Sequence, residues 1–140
     1  MKNQITPCLW FDTQAEDAAK FYCSVFRNSK ILSSNPMVTI FELNGTRFMG
    51  LNGGPMFKFS EAISFSVDCE TQEEIDYFWD SLTDGGEESQ CGWLKDKYGV
   101  SWQIVPKILE ELMNDPERSP RVVKAFMQMK KFDIEKLLQA

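Results

Sequence analysis

The sequence predicts an α+β protein made of two copies of one strand-first module. Three observations carry that expectation. Ile5-Thr6-Pro7-Cys8-Leu9 leads into Thr13-Gln14-Ala15-Glu16 and a helix with Phe21 and Tyr22. Ile63-Ser64-Phe65-Ser66-Val67 leads in the same way into Thr71-Gln72-Glu73-Glu74 and a helix with Phe78 and Trp79. Strand and cap positions repeat at an offset of 58 residues, and the apolar helix positions at 57. Next, Asn44-Gly45 separates two apolar runs, the strongest short hairpin signal because both turn positions need positive φ. Finally, neither copy can close a core alone, so the two sheets are expected to curve around a shared cleft.

The elements follow in order. Residues 5–11 alternate, which reads as a half-buried strand. Asp12-Thr13 stops it, and Thr13 with Glu16 reads as a capping box. Ala15, Ala18, Ala19, Tyr22, Val25 and Phe26 then mark one buried helical stripe. Residues 37–43 and 46–52 form the hairpin, and Gly53-Gly54-Pro55 ends the module. A second strand spans 62–68, and Thr71 with Glu74 caps a helix burying Ile75, Phe78, Trp79 and Leu82. Asp84-Gly85-Gly86 terminates that helix. A strand near 90–94, a turn from Asp96 to Gly99 and a strand at 100–105 complete the copy. After Pro106 the pattern changes. A short helix covers Ile108 to Met113, and Ser119-Pro120 opens another to Lys131. Asp133 caps a last turn with Ile134, Leu137 and Leu138. This tail is too apolar to dangle, so it must pack on the body or on a second subunit.

The chain has 140 residues, one domain's worth: module one 1–56, module two 60–106 and a helical tail 107–140. A chain of this size buries roughly 68–70% of its unfolded surface. Hydrophobic content of 43% with 26% charged residues is ordinary for a soluble protein. A net charge of −6 and pI near 4.7 argue against nucleic acid as a partner, because such binding needs clustered Lys and Arg. The basic stretch from Lys124 to Lys131 reads as a solvated helix face. No apolar run approaches the roughly 20 residues of a membrane span, so no membrane partner is expected. The opening Met1-Lys2-Asn3-Gln4-Ile5-Thr6-Pro7 has no signal-peptide core and reads as the start of the first strand. A cytoplasmic location is the default. Cys8, Cys23, Cys69 and Cys91 have no CxxC spacing and read as reduced, mostly buried thiols.

The alternation assigns faces. Ile5, Pro7, Leu9 and Phe11 are expected under the first helix, and Ile63, Phe65 and Val67 under the second. Thr6, Cys8 and Trp10 then face the cleft, as do Ser64 and Ser66 unless those serines simply face solvent.

Three stretches resemble a known family. Thr6-Pro7-Cys8-Leu9-Trp10-Phe11 with Glu16-Asp17-Ala18-Ala19-Lys20-Phe21-Tyr22 is similar to the opening signature of PhnB-like proteins. Tyr98-Gly99-Val100-Ser101-Trp102-Gln103-Ile104-Val105-Pro106 resembles their closing signature. Met127-Gln128-Met129-Lys130-Lys131-Phe132-Asp133-Ile134, with Leu137 and Ala140, resembles their C-terminal tail. These proteins are similar to the glyoxalase/bleomycin-resistance/dioxygenase, or vicinal oxygen chelate, superfamily. Many also carry the label of 3-demethylubiquinone 3-methyltransferase-like domains. The resemblance implies paired βαβββ modules and a homodimer with its cleft near the subunit junction.

In metal-dependent relatives the ligands come from the first and last strands of each module. Carried onto this chain, which contains no histidine, that set fails. Residues 4–10, 46–55 and 62–67 offer no His, Asp or Glu, and the last-strand position is Gln103. Neutral amides such as Gln4 and Gln103 are poor ligands for a divalent ion, so no metal and no cofactor are expected. The methyltransferase label needs a cradle for a nucleotide-like donor, commonly a glycine-rich strand-to-helix turn. Gly53-Gly54 precedes a proline and Gly85-Gly86 follows a helix, so both read as punctuation. Cys8 lacks a base to activate it and reads as inert. Asp96 and Lys97 read as solvent-facing turn charges. Trp102 alternates with Gln103, so it packs as core if Gln103 faces the cleft. Trp10 and Trp93 then supply aromatic walls.

The reading is a metal-independent protein that binds an apolar or aromatic small molecule. Thr6, Cys8, Trp10, Asn52, Ser64 and Gln103 are its expected lining, with the amides of Asn52 and Gln103 orienting polar ligand groups. No catalytic residue is assigned. A lyase, isomerase or methyltransferase-like enzyme of the same superfamily is the alternative, and a structural homodimer with a vestigial cleft is a third reading.

Overall fold

The computed structural model describes residues 3–140. Met1 and Lys2, part of the stretch expected to open the first strand, lie outside the described residues. The chain forms two compact units, one running through Phe59 and the other from Ser60 to Ala140.

The first unit has the order β1 (Cys8–Phe11), α1 (Ala15–Val25), β2 (Lys30–Ser34), β3 (Val38–Leu43) and β4 (Thr46–Asn52). Its sheet runs β1-β4-β3-β2, with β1 parallel to β4 and the other pairs antiparallel. The Asn44-Gly45 hairpin is present, with φ of 48° and 88° as its turn requires. Leu9, Phe11, Phe41 and Phe48 are buried, as are Ala15, Ala18, Ala19 and Tyr22 of α1. Tyr22 stacks on Phe41 at 6.2 Å, and Phe41 on Phe48 at 5.5 Å. Burying a ring such as Phe41 stabilises the fold by about 1.5–3 kcal/mol. Gly50 permits this close approach, because a Cβ there would lie 3.1 Å from the Cβ of Ala15.

Three expectations change in this unit. The first strand is shorter than 5–11, and Ile5 is 91% exposed because it precedes the ladder and so passes no helix. Strand β2 gave no sequence signal: Lys30, Leu32, Ser33 and Ser34 are exposed and a bulge separates Ile31 from Ser33. The Thr13–Glu16 capping box does not form, since α1 starts after Gln14 with no capping side chain of its own. Asn52, at the end of β4, instead accepts the Ala15 N–H at 2.8 Å. Glu16 turns to Lys20, 3.5 Å away.

The second unit repeats the order with β5 (Phe65–Cys69), α2 (Gln72–Thr83), β6 (Glu87–Glu88), β7 (Trp93–Lys95) and β8 (Ser101–Pro106). Its sheet runs β5-β8-β7-β6, again with the first and last strands parallel. Here the capping box does form: Thr71 accepts from Glu74 N–H at 3.1 Å and Glu74 accepts from Thr71 N–H at 3.3 Å. Ile75, Trp79 and Leu82 of α2 are buried, as are Leu94, Trp102 and Ile104 of the sheet. Strand β5 begins three residues later than expected, leaving Ile63 65% exposed and Phe65 and Val67 half-buried.

Three helices follow: α3 (Ile108–Met113), α4 (Ser119–Phe126) and α5 (Ile134–Gln139). Helix α4 stops before Lys131, closing in tighter turns in which Gln128 N–H donates to Ala125 C=O at 3.2 Å and Met129 N–H to Phe126 C=O at 2.9 Å. Met129 and Lys130 C=O accept the N–H groups of Cys91 and Gly92, both at 2.8 Å. Ser119 lies inside the helix rather than capping it, while Asp133 caps α5 through Lys136 N–H.

The tail therefore packs on its own chain. Gln72 of α2 donates to Phe132 C=O at 2.9 Å and accepts the Ile134 N–H at 2.8 Å. Lys131 pairs with Asp76 at 2.8 Å. Phe132 is 2% exposed and covers Gly92, where a Cβ would lie 2.6 Å from its Cδ2.

Truncating Gln72 removes both tail bonds. Gln72→Ala is expected to cost about 1–3 kcal/mol in chemical denaturation, with faster amide exchange at Ile134. Lys131 and then Gln72 hold the Asp76 carboxyl below the usual aspartate range. Its stabilisation is present above the unfolded aspartate range, near about pH 4, and is lost as pH falls further. Thermal melts of Asp76→Asn are expected to show a lower melting temperature at neutral pH and a shallower acid limb.

Candidate functional site

Each sheet carries its helix on one face, so alternate side chains point to the other. In the first unit the register puts Cys8 opposite Met49 and Trp10 opposite Leu51, with Val38 beside Leu51 and Ile40 beside Met49. This open face is apolar and rich in sulfur. Thr6 is half-buried just ahead of it. Trp10 is held in place: its indole N–H donates to Gly54 C=O at 2.9 Å and its ring meets Phe57 edge-on at 5.0 Å. Gly53 has no room for a side chain, because a Cβ there would collide with the indole. Trp10 thus anchors the loop after β4 while presenting part of its ring.

Asn52 stands apart from these residues. It pairs with Phe11 in the ladder, on the helix-covered face. Besides accepting from Ala15 it donates to Pro36 C=O at 3.0 Å. Its amide is a structural clasp between a strand end, a helix start and a loop.

In the second unit Gln103 and Ser64 come together. Gln103 Nε2 donates to Ser64 Oγ at 3.0 Å. Gln103 lies between Ser66 and Trp93 in the sheet, and all three share the open face. Lys95, on the same face, pairs with Glu61 at 2.9 Å, which raises the lysine's pKa and lowers that of the carboxyl. Trp102 points the other way, buried, with its N–H on Asp96 Oδ2 at 2.9 Å.

Asp96 was expected in solvent and is 3% exposed instead. Its Oδ1 accepts from Tyr98 N–H at 2.8 Å and Val100 N–H at 3.1 Å. The signal was present in Asp96-Lys97-Tyr98-Gly99, an Asp that closes a turn onto its own backbone. Ser101 is buried on the open face, and its Oγ has no hydrogen-bond partner among the described residues.

Of the four thiols, all free, only Cys69 is buried; Cys8 is exposed and Cys23 and Cys91 are intermediate. Burial, aided by the charges of Glu74 and Asp68, pushes Cys69 up to about 12. Desolvation also raises the Cys8 thiol, which opposes nucleophilic use.

The donor set does not fit a divalent metal. Among the described residues no three His, Cys, Asp or Glu side chains converge, and Gln103 offers a neutral amide already bonded to Ser64. Among the described residues no helix is long and apolar enough to cross a membrane. A groove of about 800 Å³ among α3, α4 and α5, lined by Ile108, Leu112, Arg118 and Leu138, contains none of the expected site residues.

Asn52→Ala is expected to destabilise the chain by about 0.5–2 kcal/mol in urea, as loss of a helix cap does. Iodoacetamide at mildly alkaline pH is expected to alkylate Cys8 in the native protein and to spare Cys69 until the chain unfolds, as mass spectrometry of peptides would read.

Comparison with known proteins supplies the family. Residues 3–105 match the family model described as 3-demethylubiquinone-9 3-methyltransferase. The PhnB protein of Bacillus cereus is 36% identical, with a TM-score of 0.68 over 74% of this chain and 99% of that one. A Pseudomonas aeruginosa protein shares the fold at 18% identity and a TM-score of 0.61, over 74% of this chain and 96% of that one. So does FosX of Listeria monocytogenes, a fosfomycin resistance protein solved with Mn(II) and sulfate. It is 14% identical, with a TM-score of 0.61 over 81% of this chain and 96% of that one. No curated protein matches. With two βαβββ modules, a C-terminal helical tail and this match, the chain belongs to the PhnB-like, 3-demethylubiquinone-9 3-methyltransferase family.

Proposed function

We propose that this protein binds an apolar or aromatic small molecule without a metal. The observation that carries the reading is the Gln103–Ser64 pair. At the last-strand position where the family resemblance implies a metal ligand, this chain places an amide tied to a hydroxyl. Such groups orient a ligand by hydrogen bonds rather than by coordination. The open face with Cys8, Trp10, Met49 and Leu51 supports the apolar half of the reading. Thr6, Cys8 and Trp10 in the first unit, and separately Ser64 and Gln103 in the second, are the proposed contact residues, while Asn52 is assigned to structure.

A homodimer and a cytoplasmic location belong to the same proposal. Exposed apolar side chains at Ile5, Met37, Met56 and Phe57 support association, and four free thiols suit a reducing compartment. The apolar tail no longer argues for a dimer, since it packs on its own chain.

Native mass spectrometry of gently purified protein, with no chelator and no added metal, tests the reading. The expected spectrum is a dimer that is metal-free and takes up small aromatic compounds. A stoichiometric metal ion on the dimer would overturn it and favour an enzyme of the superfamily.

A further inference from the structure

Ser101 is 1% exposed, and its Oγ is the buried side-chain oxygen left without a partner among the described residues. Buried hydroxyls are nearly always bonded, and leaving one unbonded is costly. Strand alternation puts Ser101, Gln103 and Val105 on the open face of the second sheet, where Ser101 pairs with Lys95 and Gln103 with Trp93. Phe65 pairs with Trp102, so Ser64 comes level with Ser101.

We propose that Ser101, Ser64 and Gln103 recognise the polar group of a neutral, ring-bearing ligand, and that Trp93 borders its ring. This deepens the function proposed above and rests on it. Hydroxyls both donate and accept, and the Gln103 amide uses Nε2 on Ser64, which leaves its Oε1 to accept. A group that also does both, such as a carboxamide, satisfies this set. A carboxylate does not. Lys95, the ladder partner of Ser101, has its ammonium already matched by Glu61 at 2.9 Å, and Asp68 adds negative charge on the same face. The site therefore selects a neutral polar head over an anion.

The test uses the full chain labelled with nitrogen-15, titrated with benzamide and, separately, with benzoate and toluene. Benzamide is expected to shift the Trp93 indole and Gln103 side-chain resonances, benzoate at least tenfold more weakly. Ser101→Ala is expected to weaken benzamide tenfold or more without lowering the melting temperature, because no protein bond is lost. Benzamide binding unchanged in that variant, tighter binding of benzoate, or a fall in melting temperature would each overturn the inference. Shifts confined to the Cys8–Trp10 face would overturn it while leaving the proposed function standing. No binding of benzamide or toluene anywhere would remove both.

Discussion

One helix can cover only one face of a sheet, and everything distinctive about this chain follows from that constraint. Each module has a single crossover helix between its first strand and its hairpin or strand pair. The helix joins the two edge strands of its sheet, the closing strand pairs in parallel with the first, and the helix packs on the face carrying Leu9, Phe11 and Phe41 in one unit and Trp102 and Ile104 in the other. The period of two then commits every second side chain to a face with no helix of its own. Chemistry in such a protein is written on those alternate positions.

The two copies use that freedom differently. In the first unit the open positions hold Cys8, Trp10, Met49 and Leu51; in the second they hold Ser64, Ser66, Gln103, Trp93 and Lys95. The scaffold was duplicated more faithfully than the surface it presents. Core positions must keep volume and apolarity to pack at all, whereas open positions answer only to what they meet.

Much of the scaffold was legible because its signals are local. Asn44-Gly45 marks its own hairpin, and Thr71 with Glu74 closes its own helix end. What escaped is non-local. Asn52, expected to orient a polar ligand group, has its amide claimed instead by Ala15 and Pro36, distant in sequence. Gln72 grips a tail about 60 residues on, and no periodicity announces such a bond. Strand β2 is exposed along most of its length, so it never alternates and cannot be seen by alternation. Alternation put Gln103 and Ser64 on the same side, but the bond between their side chains is again a contact between residues far apart in sequence.

The two helix starts also differ in when they become possible. The N-terminus of α2 is satisfied by residues within its own first turn, so its cap needs no distant partner. The N-terminus of α1 draws its acceptor from Asn52, 37 residues downstream. That partner arrives only after the hairpin has closed and β4 lies beside β1, and closing so long a loop carries an entropic cost before any contact rewards it. The two corresponding segments thus depend on their surroundings differently: the first turn of one helix is capped by its own residues, and that of the other only by the sheet it covers.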